Sequence, residues 1–178
     1  MTHEDHLRLL RGGVHGPGGV WADLGSGTGA FTLALADLLG PTGQIYSVDT
    51  DRGALKEQER SMRSLFPQAN VRYMVADFTR SLDLPLLDGV VMANSLHFLR
   101  DKDPVLKLVE SYLRPGGHLV LIEYNADRGN PWVPHPLSYP TWQVTARRNG
   151  FASTQLLTTV PSRFLGEIYS ALSVKRDA

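Results

Sequence analysis

Val20-Trp21-Ala22-Asp23-Leu24-Gly25-Ser26-Gly27-Thr28-Gly29-Ala30-Phe31 is the stretch that decides the fold. Its first five residues read as a buried strand, its glycines as a turn, and Phe31 onward, through Thr32-Leu33-Ala34-Leu35-Ala36, as the opening of a helix. Glycine at every second position lets backbone approach a ligand where a Cβ would clash, and it tolerates positive φ. The acid ahead of the glycines narrows the choice of ligand. A carboxylate at the tip of the first strand repels a pyrophosphate and suits a ligand carrying positive charge. Taken alone, Gly25-x-Gly27-x-x-Ala30 also satisfies the dinucleotide fingerprint, whose third position accepts Gly or Ala. Asp23, Gly29 and the later acid Asp77 separate the two readings in favour of the cationic ligand.

Outward from this stretch the chain alternates. A short helix over 3–11, with Leu7, Leu9 and Leu10 as its apolar face, precedes a glycine-rich break at 12–19. After the first strand (20–24) and its helix (29–39), Gln44-Ile45-Tyr46-Ser47-Val48 forms a second strand ending in Asp49. Asp51 reads as the N-cap of a helix reaching Leu65, stopped by Pro67. Strands over 71–76 and 89–93 follow, the latter apolar throughout, as a strand buried on both faces should be. A helix over 103–113 ends at Arg114-Pro115-Gly116-Gly117, where proline stops the helix and glycine turns the chain into a fifth strand over 118–124. A Pro- and aromatic-rich loop, a helix over 141–148 and strands over 151–159 and 164–174 close the chain. Such alternation implies an α/β fold, a parallel sheet with helices on both faces.

In such sheets ligands bind beyond the carboxyl ends of the strands, and Asp23, Asp49, Asp77, Asn94 and Tyr124 all fall at those ends. Asp23-Leu24-Gly25-Ser26-Gly27-Thr28-Gly29 resembles motif I of the class I S-adenosylmethionine-dependent methyltransferases, whose cofactor carries both an ammonium and a sulfonium. Leu87-Asp88-Gly89-Val90-Val91-Met92-Ala93-Asn94-Ser95-Leu96-His97-Phe98 is similar to their motif IV, and Leu113–Leu119 to their turn into strand five. The resemblance implies a Rossmann-like, doubly wound, seven-stranded sheet, mostly parallel with the last strand antiparallel. It also implies a cofactor held by Asp23, Gly25, Ser26, Gly27, Gly29, Asp49, Thr50, Asp77, Phe78, Asn94 and Ser95. Asp49 would then grip the ribose hydroxyls and Asp77 the adenine amino group, with Phe78 beside the ring and Asn94 near the methionine end. Structural readings stand beside these: Asp49 as an N-cap, and Asp77 as the cap of a helix starting near Thr79. Within the family the chain looks most like the small-molecule branch that includes quinone-biosynthesis C-methyltransferases.

The totals exclude several classes. The 178 residues suit one domain over 1–178, divided into a short N-terminal segment (1–17), a cofactor-binding core (18–124) and an acceptor-side remainder (125–178). Eighteen basic and eighteen acidic residues leave no net charge, which argues against a nucleic-acid partner. With no cysteine there is no disulfide, thiolate metal site or cysteine nucleophile. Of the six histidines, those at 3, 6, 97, 118 and 135 lack paired metal-ligand spacing, so no metal is expected. Neither a signal peptide nor a membrane span is read in the chain, and a cytoplasmic protein is expected.

Methyl transfer from a sulfonium needs chiefly that the acceptor be held in line. An acidic oxygen or carbon acceptor adds the need for a general base. His97, Tyr124 and His135 are the candidates, with Glu123 joining them if the strand phase turns it inward. His97 can equally be a packed residue. Trp132, Tyr139 and Trp142 point to an apolar or aromatic small-molecule acceptor, or else they cover the sheet edge. Binding of the cofactor without turnover and a nicotinamide-linked oxidoreductase remain as alternatives.

Overall fold

Strand order fixes where the site must lie. In the computed structural model, which describes residues 1–177, seven strands form one sheet in the order β3-β2-β1-β4-β5-β7-β6. They are β1 (Val20–Leu24), β2 (Gln44–Asp49), β3 (Asn70–Val75), β4 (Leu87–Ala93), β5 (Leu113–Tyr124), β6 (Phe151–Ser162) and β7 (Gly166–Lys175). The first five pair in parallel, and β7 runs antiparallel both to β5 and to β6. This is the class I methyltransferase arrangement that the resemblance implied. The chain winds outward through β1, β2 and β3, then returns to place β4 on the other side of β1. That reversal opens a crevice at the carboxyl ends of β1 and β4.

Alternation of side chains along the central strands supplies both faces. Leu24, Val90, Leu119 and Leu121 pack against Val105, Leu106 and Val109 of α4 (Asp103–Tyr112) and Trp142 and Ala146 of α5 (Tyr139–Arg148). On the opposite face, Ile45, Val91, Val120 and Ile122 meet α1 (His3–Leu10), α2 (Ala30–Leu39) and Met62 of α3 (Arg52–Leu65). Leu9 and Leu10 are fully buried, so α1 belongs to the core. Truncating any one of these buried leucines to alanine costs about 2–5 kcal/mol. No helix among the described residues is long and apolar enough to cross a membrane.

Two connections depart from the sequence pattern. Between β3 and β4 the chain forms no helix; after a turn at 78–80 it crosses as irregular chain, with Leu82 and Leu84 packed on the core. The Leu82 N–H donates to Tyr112 Oη at 2.8 Å, which replaces the partner a helix would have given it. At the other departure, α4 stops at Tyr112 and Leu113 already pairs with Leu87. Arg114–Gly117 then bulge out, Gly116 taking φ +70°, before pairing resumes at Gly89 and His118. Asp88 holds the bulge by accepting from Arg114 Nη1 and from the Val20 N–H, both at 2.6 Å.

Candidate active site

The glycine loop joins β1 to α2 with Gly25, Gly27 and Gly29 at φ +79°, +53° and +90°. These angles favour glycine at all three positions, but the space around them differs. A Cβ on Gly25 would lie 2.5 Å from Ser95 Cβ and 3.2 Å from Phe78 Cε1. One on Gly29 would run into the side chain of Gln58, whereas one on Gly27 would meet nothing within 4 Å. The loop is therefore packed at its ends and open at its centre. Gly25 and Ser26 donate to the Val48 carbonyl at 2.8 and 3.1 Å, and Gly27 donates to Asp49 Oδ2 at 2.8 Å. Asp49 Oδ1 accepts from the Asp51 N–H. The N-cap of α3 is Asp51, which accepts from Gly53 and Ala54, so the capping role falls there and not to Asp49. Thr50 is exposed at the bend between them.

Beneath the loop lies a buried polar network. Thr32 donates to Asp23 Oδ2 at 2.6 Å, and Gln58 Nε2 donates to Thr32 Oγ1 at 3.1 Å. Ser47 donates to Gln58 Oε1 at 2.6 Å, and its Oγ lies 2.8 Å from Ser26 Oγ. Burial pushes the Asp23 carboxyl up to about 7, against the pull of the Thr32 hydrogen bond and with a further push from Asp49. A positive charge arriving at this carboxyl would relieve that cost. The sequence did not point to Gln58. Its signal was a polar residue in the Leu55–Gln58–Met62 stripe, which is the buried face of α3.

At the ends of β3 and β4 the roles divide. Asp77 accepts from the Thr79 N–H and hydroxyl at 2.9 and 2.7 Å, which hold its carboxyl below the usual range. It thus closes a turn rather than capping a helix, and its exposed Oδ2 lies 3.7 Å from Arg80 Nε. Phe78 is half-buried beside Gly25. Ser95 is spent on structure, donating to the Leu24 carbonyl at 2.9 Å. Asn94 stands at φ +51°, its N–H donates to Ile122 O, and its Oδ1 is buried without a partner. A buried acceptor left unpaired costs about 1–3 kcal/mol, which a ligand's donor recovers.

Beyond β4 and β5 the second half of the site is built on a buried pair. His97 is 3% exposed and Glu123 is 0% exposed. His97 Nδ1 lies 2.8 Å from Glu123 Oε2, and the His97 N–H donates to Glu123 Oε1 at 3.0 Å. Strand phase does turn Glu123 inward, against His97. Tyr124 projects to the other face, its ring 5.9 Å from that of His97. Burial, and then the Glu123 charge, raise the Tyr124 hydroxyl above its ordinary pKa. His135 meets His97 through backbone, its N–H donating to the His97 carbonyl at 3.0 Å while its own carbonyl accepts from Lys102. Phe98 covers His97 at 4.4 Å between rings and is 62% exposed.

Farther out, Phe164 at the β6–β7 turn lies 6.3 Å from Tyr124 and 6.1 Å from Trp132, which is 70% exposed. Trp142 and Tyr139, by contrast, serve the fold: Trp142 is fully buried and Tyr139 donates to the Thr154 carbonyl. Phe98 and Phe164 went unread in the sequence because no spacing links Phe164 to Trp132 or gives Phe98 a role beside His97.

A family model described as a methyltransferase domain matches residues 16–155. The chain belongs to this family. As an S-adenosylmethionine-dependent methyltransferase domain it resembles the ubiquinone/menaquinone biosynthesis C-methyltransferase UbiE of Pasteurella multocida, with 32% identity over 105 residues. That match takes in 58% of this chain and 39% of the relative, so the chain covers well under half the relative's length. Among solved structures, the YcgJ protein of Bacillus subtilis superposes with a TM-score of 0.80 at 14% identity, covering 99% of this chain and 100% of that one. A SAM-dependent methyltransferase from Aquifex aeolicus gives 0.75 at 19% identity, covering 96% and 89%. Both show the same fold. The residues of the methyltransferase domain fit the family's cofactor: an orphaned acceptor on Asn94, a costly carboxyl on Asp23 and open space over Gly27 suit a ligand that brings donors and positive charge.

Proposed function

We propose that this methyltransferase domain passes a methyl group from S-adenosylmethionine to a small-molecule acceptor of apolar or aromatic character. The observation that carries the acceptor half is the buried His97–Glu123 pair with the exposed ring of Phe98 against it, at the carboxyl ends of the strands that also bear Asn94. The name of the Pasteurella multocida relative supports a quinol-type ring as the first acceptor class to test.

The cofactor would lie over Gly27, with its ribose at Asp49, its adenine at Asp77 and Phe78, and its methionine end at Asp23 and Asn94. Both Asp49 oxygens carry one hydrogen bond each and have lone pairs to spare. The group supplies an activated methyl on a good leaving group. What the protein adds is position and proton control. Holding the acceptor in line supplies roughly 7–11 kcal/mol of barrier lowering. Glu123 accepts the Nδ1 proton of His97, which leaves Nε2 as the nitrogen able to take a proton from an acceptor O–H or C–H. Phe98 and Tyr124 present ring surface beside it, which Phe164 and Trp132 continue outward.

Calorimetric titration with S-adenosylmethionine, S-adenosylhomocysteine and NADH is the first test. Micromolar binding of the first two without the third supports the reading, and binding of NADH alone overturns it. Transfer of label from methyl-labelled cofactor to hydroquinones and phenols then tests the acceptor class.

A further inference from the structure

Gln58 is an expensive residue to find where it is. It is fully buried on α3, at a stripe position otherwise filled by Leu55 and Met62, where an apolar side chain would pack without needing partners. Its amide instead reaches three other elements. Oε1 accepts from Ser47 of β2 at 2.6 Å, Nε2 donates to Thr32 of α2 at 3.1 Å, and Nε2 lies 3.5 Å from the Gly27 carbonyl of the loop. Its stem fills the space a Cβ on Gly29 would need.

The direction of these bonds matters. Thr32 has one hydroxyl proton, and a donor at its oxygen leaves that proton free to point at Asp23 Oδ2, 2.6 Å away. We propose that Gln58 is a positioning residue of the cofactor site, acting through Thr32 to hold the Asp23 carboxylate oriented for the ammonium group of S-adenosylmethionine. The inference rests on the reading of the cofactor site given above. Gln58 touches no ligand itself; it sets the sense of the chain Gln58 to Thr32 to Asp23. A carboxylate at position 58 would reverse that sense. It would accept from Thr32 and draw the hydroxyl proton away from Asp23, leaving Asp23 harder to ionise. Among the described residues, the charged group that acts on Asp23 across the site is Asp49, on β2, which also makes it harder to ionise.

Titration of S-adenosylhomocysteine, which keeps the ammonium, should be followed by calorimetry from about pH 5.5 to about pH 9, a range that brackets Asp23. Wild type should bind more tightly as pH rises through the Asp23 transition. Gln58→Glu should move that rise upward by about one pH unit, which weakens binding about fivefold at neutral pH and about tenfold well below the transition. Gln58→Met, which keeps the volume, should fold as wild type and bind several-fold more weakly with a midpoint closer to the wild-type one. Thr32→Val, which lacks the relaying hydroxyl, should shift the midpoint even if Gln58→Glu fails to fold. Wild-type affinity and midpoint in Gln58→Met and Thr32→Val would overturn the proposal while leaving the cofactor site intact. Absence of binding by wild type would instead remove the reading beneath it.

Discussion

The two halves of this site are built on opposite plans. Around the glycine loop, polar side chains satisfy one another: buried Asp23, Thr32, Gln58 and Ser47 form one connected set that reaches half-buried Ser26, and Asn94 Oδ1 is left over among the described residues. Around His97 a single buried pair meets the exposed ring of Phe98, and Tyr124 links it outward to the exposed rings of Phe164 and Trp132. A half that serves one fixed ligand can be preorganised to the last hydrogen bond. The other presents apolar surface that a ligand would cover, which is how an exposed cluster of large rings is best explained. Substitutions in the first half should therefore move cofactor affinity and stability together, and those in the second should move acceptor chemistry alone.

The sharpest test of that division is His97→Gln. Glutamine keeps an N–H for Glu123, so no buried carboxylate is stranded, but it cannot take a proton. Turnover should fall by about 10²–10⁴, the usual contribution of a general base, with S-adenosylhomocysteine affinity unchanged. A drop in affinity as well would merge the two halves.

Next in size comes the pH dependence of the cofactor half. In the ligand-free protein Asp23 sits at about 7, above its ordinary 3.8. Between these values the folded chain keeps a proton that the unfolded chain has lost, so stability falls as pH rises from about 4 to about 7 and is level above. The whole effect is worth roughly 4 kcal/mol at most. Urea unfolding at pH 5 and pH 8 should show this loss in wild type and a flatter response in Asp23→Asn, the difference between the two proteins isolating Asp23. Identical slopes would place the carboxyl in water, outside the network.

Gly25→Ala should act more weakly on stability, by about 1–2 kcal/mol for the left-handed backbone alone, with the Ser95 contact added to it. Cofactor affinity should fall with it, since the displaced Ser95 anchors the segment bearing Asn94. Thermal melts with and without S-adenosylhomocysteine separate the two effects.

Much of the cofactor half was legible because its information is local. Strand, glycine turn and helix lie within Val20–Phe31, and the acids at strand ends follow from alternation along each strand. What escaped depends on phase or on contacts between distant residues. Gln58 hides in a charged helix unless its place on the buried stripe is read. Glu123 was readable only as an anomaly, an acid inside an apolar strand whose inward turn depends on the phase of β5. Phe164 joins Trp132 and Tyr124 across the sheet edge, and nothing in a single sequence marks that meeting. The aromatic loop divided in the same way: Trp142 entered the core, while Asn130 accepts from the N–H groups of Trp132 and Val133 and holds the first of these outside it.

Trp132→Ala probes the open half at its most exposed point and should have the smallest effect on the fold. A side chain 70% exposed contributes little to stability, so the melting temperature should stay within the range of ordinary surface substitutions, about 0.5 kcal/mol either way. Removing one aromatic contact from a bound ring costs about 0.5–1.5 kcal/mol beyond lost area, so KM for a hydroquinone acceptor should rise several-fold with little change in kcat. Phe164→Ala should do the same, and because the two rings touch, the double variant should lose less than the sum of the singles. Full additivity would mean that the rings serve separate ends of the acceptor, and unchanged KM in both would leave the aromatic roof without a substrate. Only the second result would confine acceptor binding to the buried pair, since His97 and Glu123 would then be selecting their substrate without those rings.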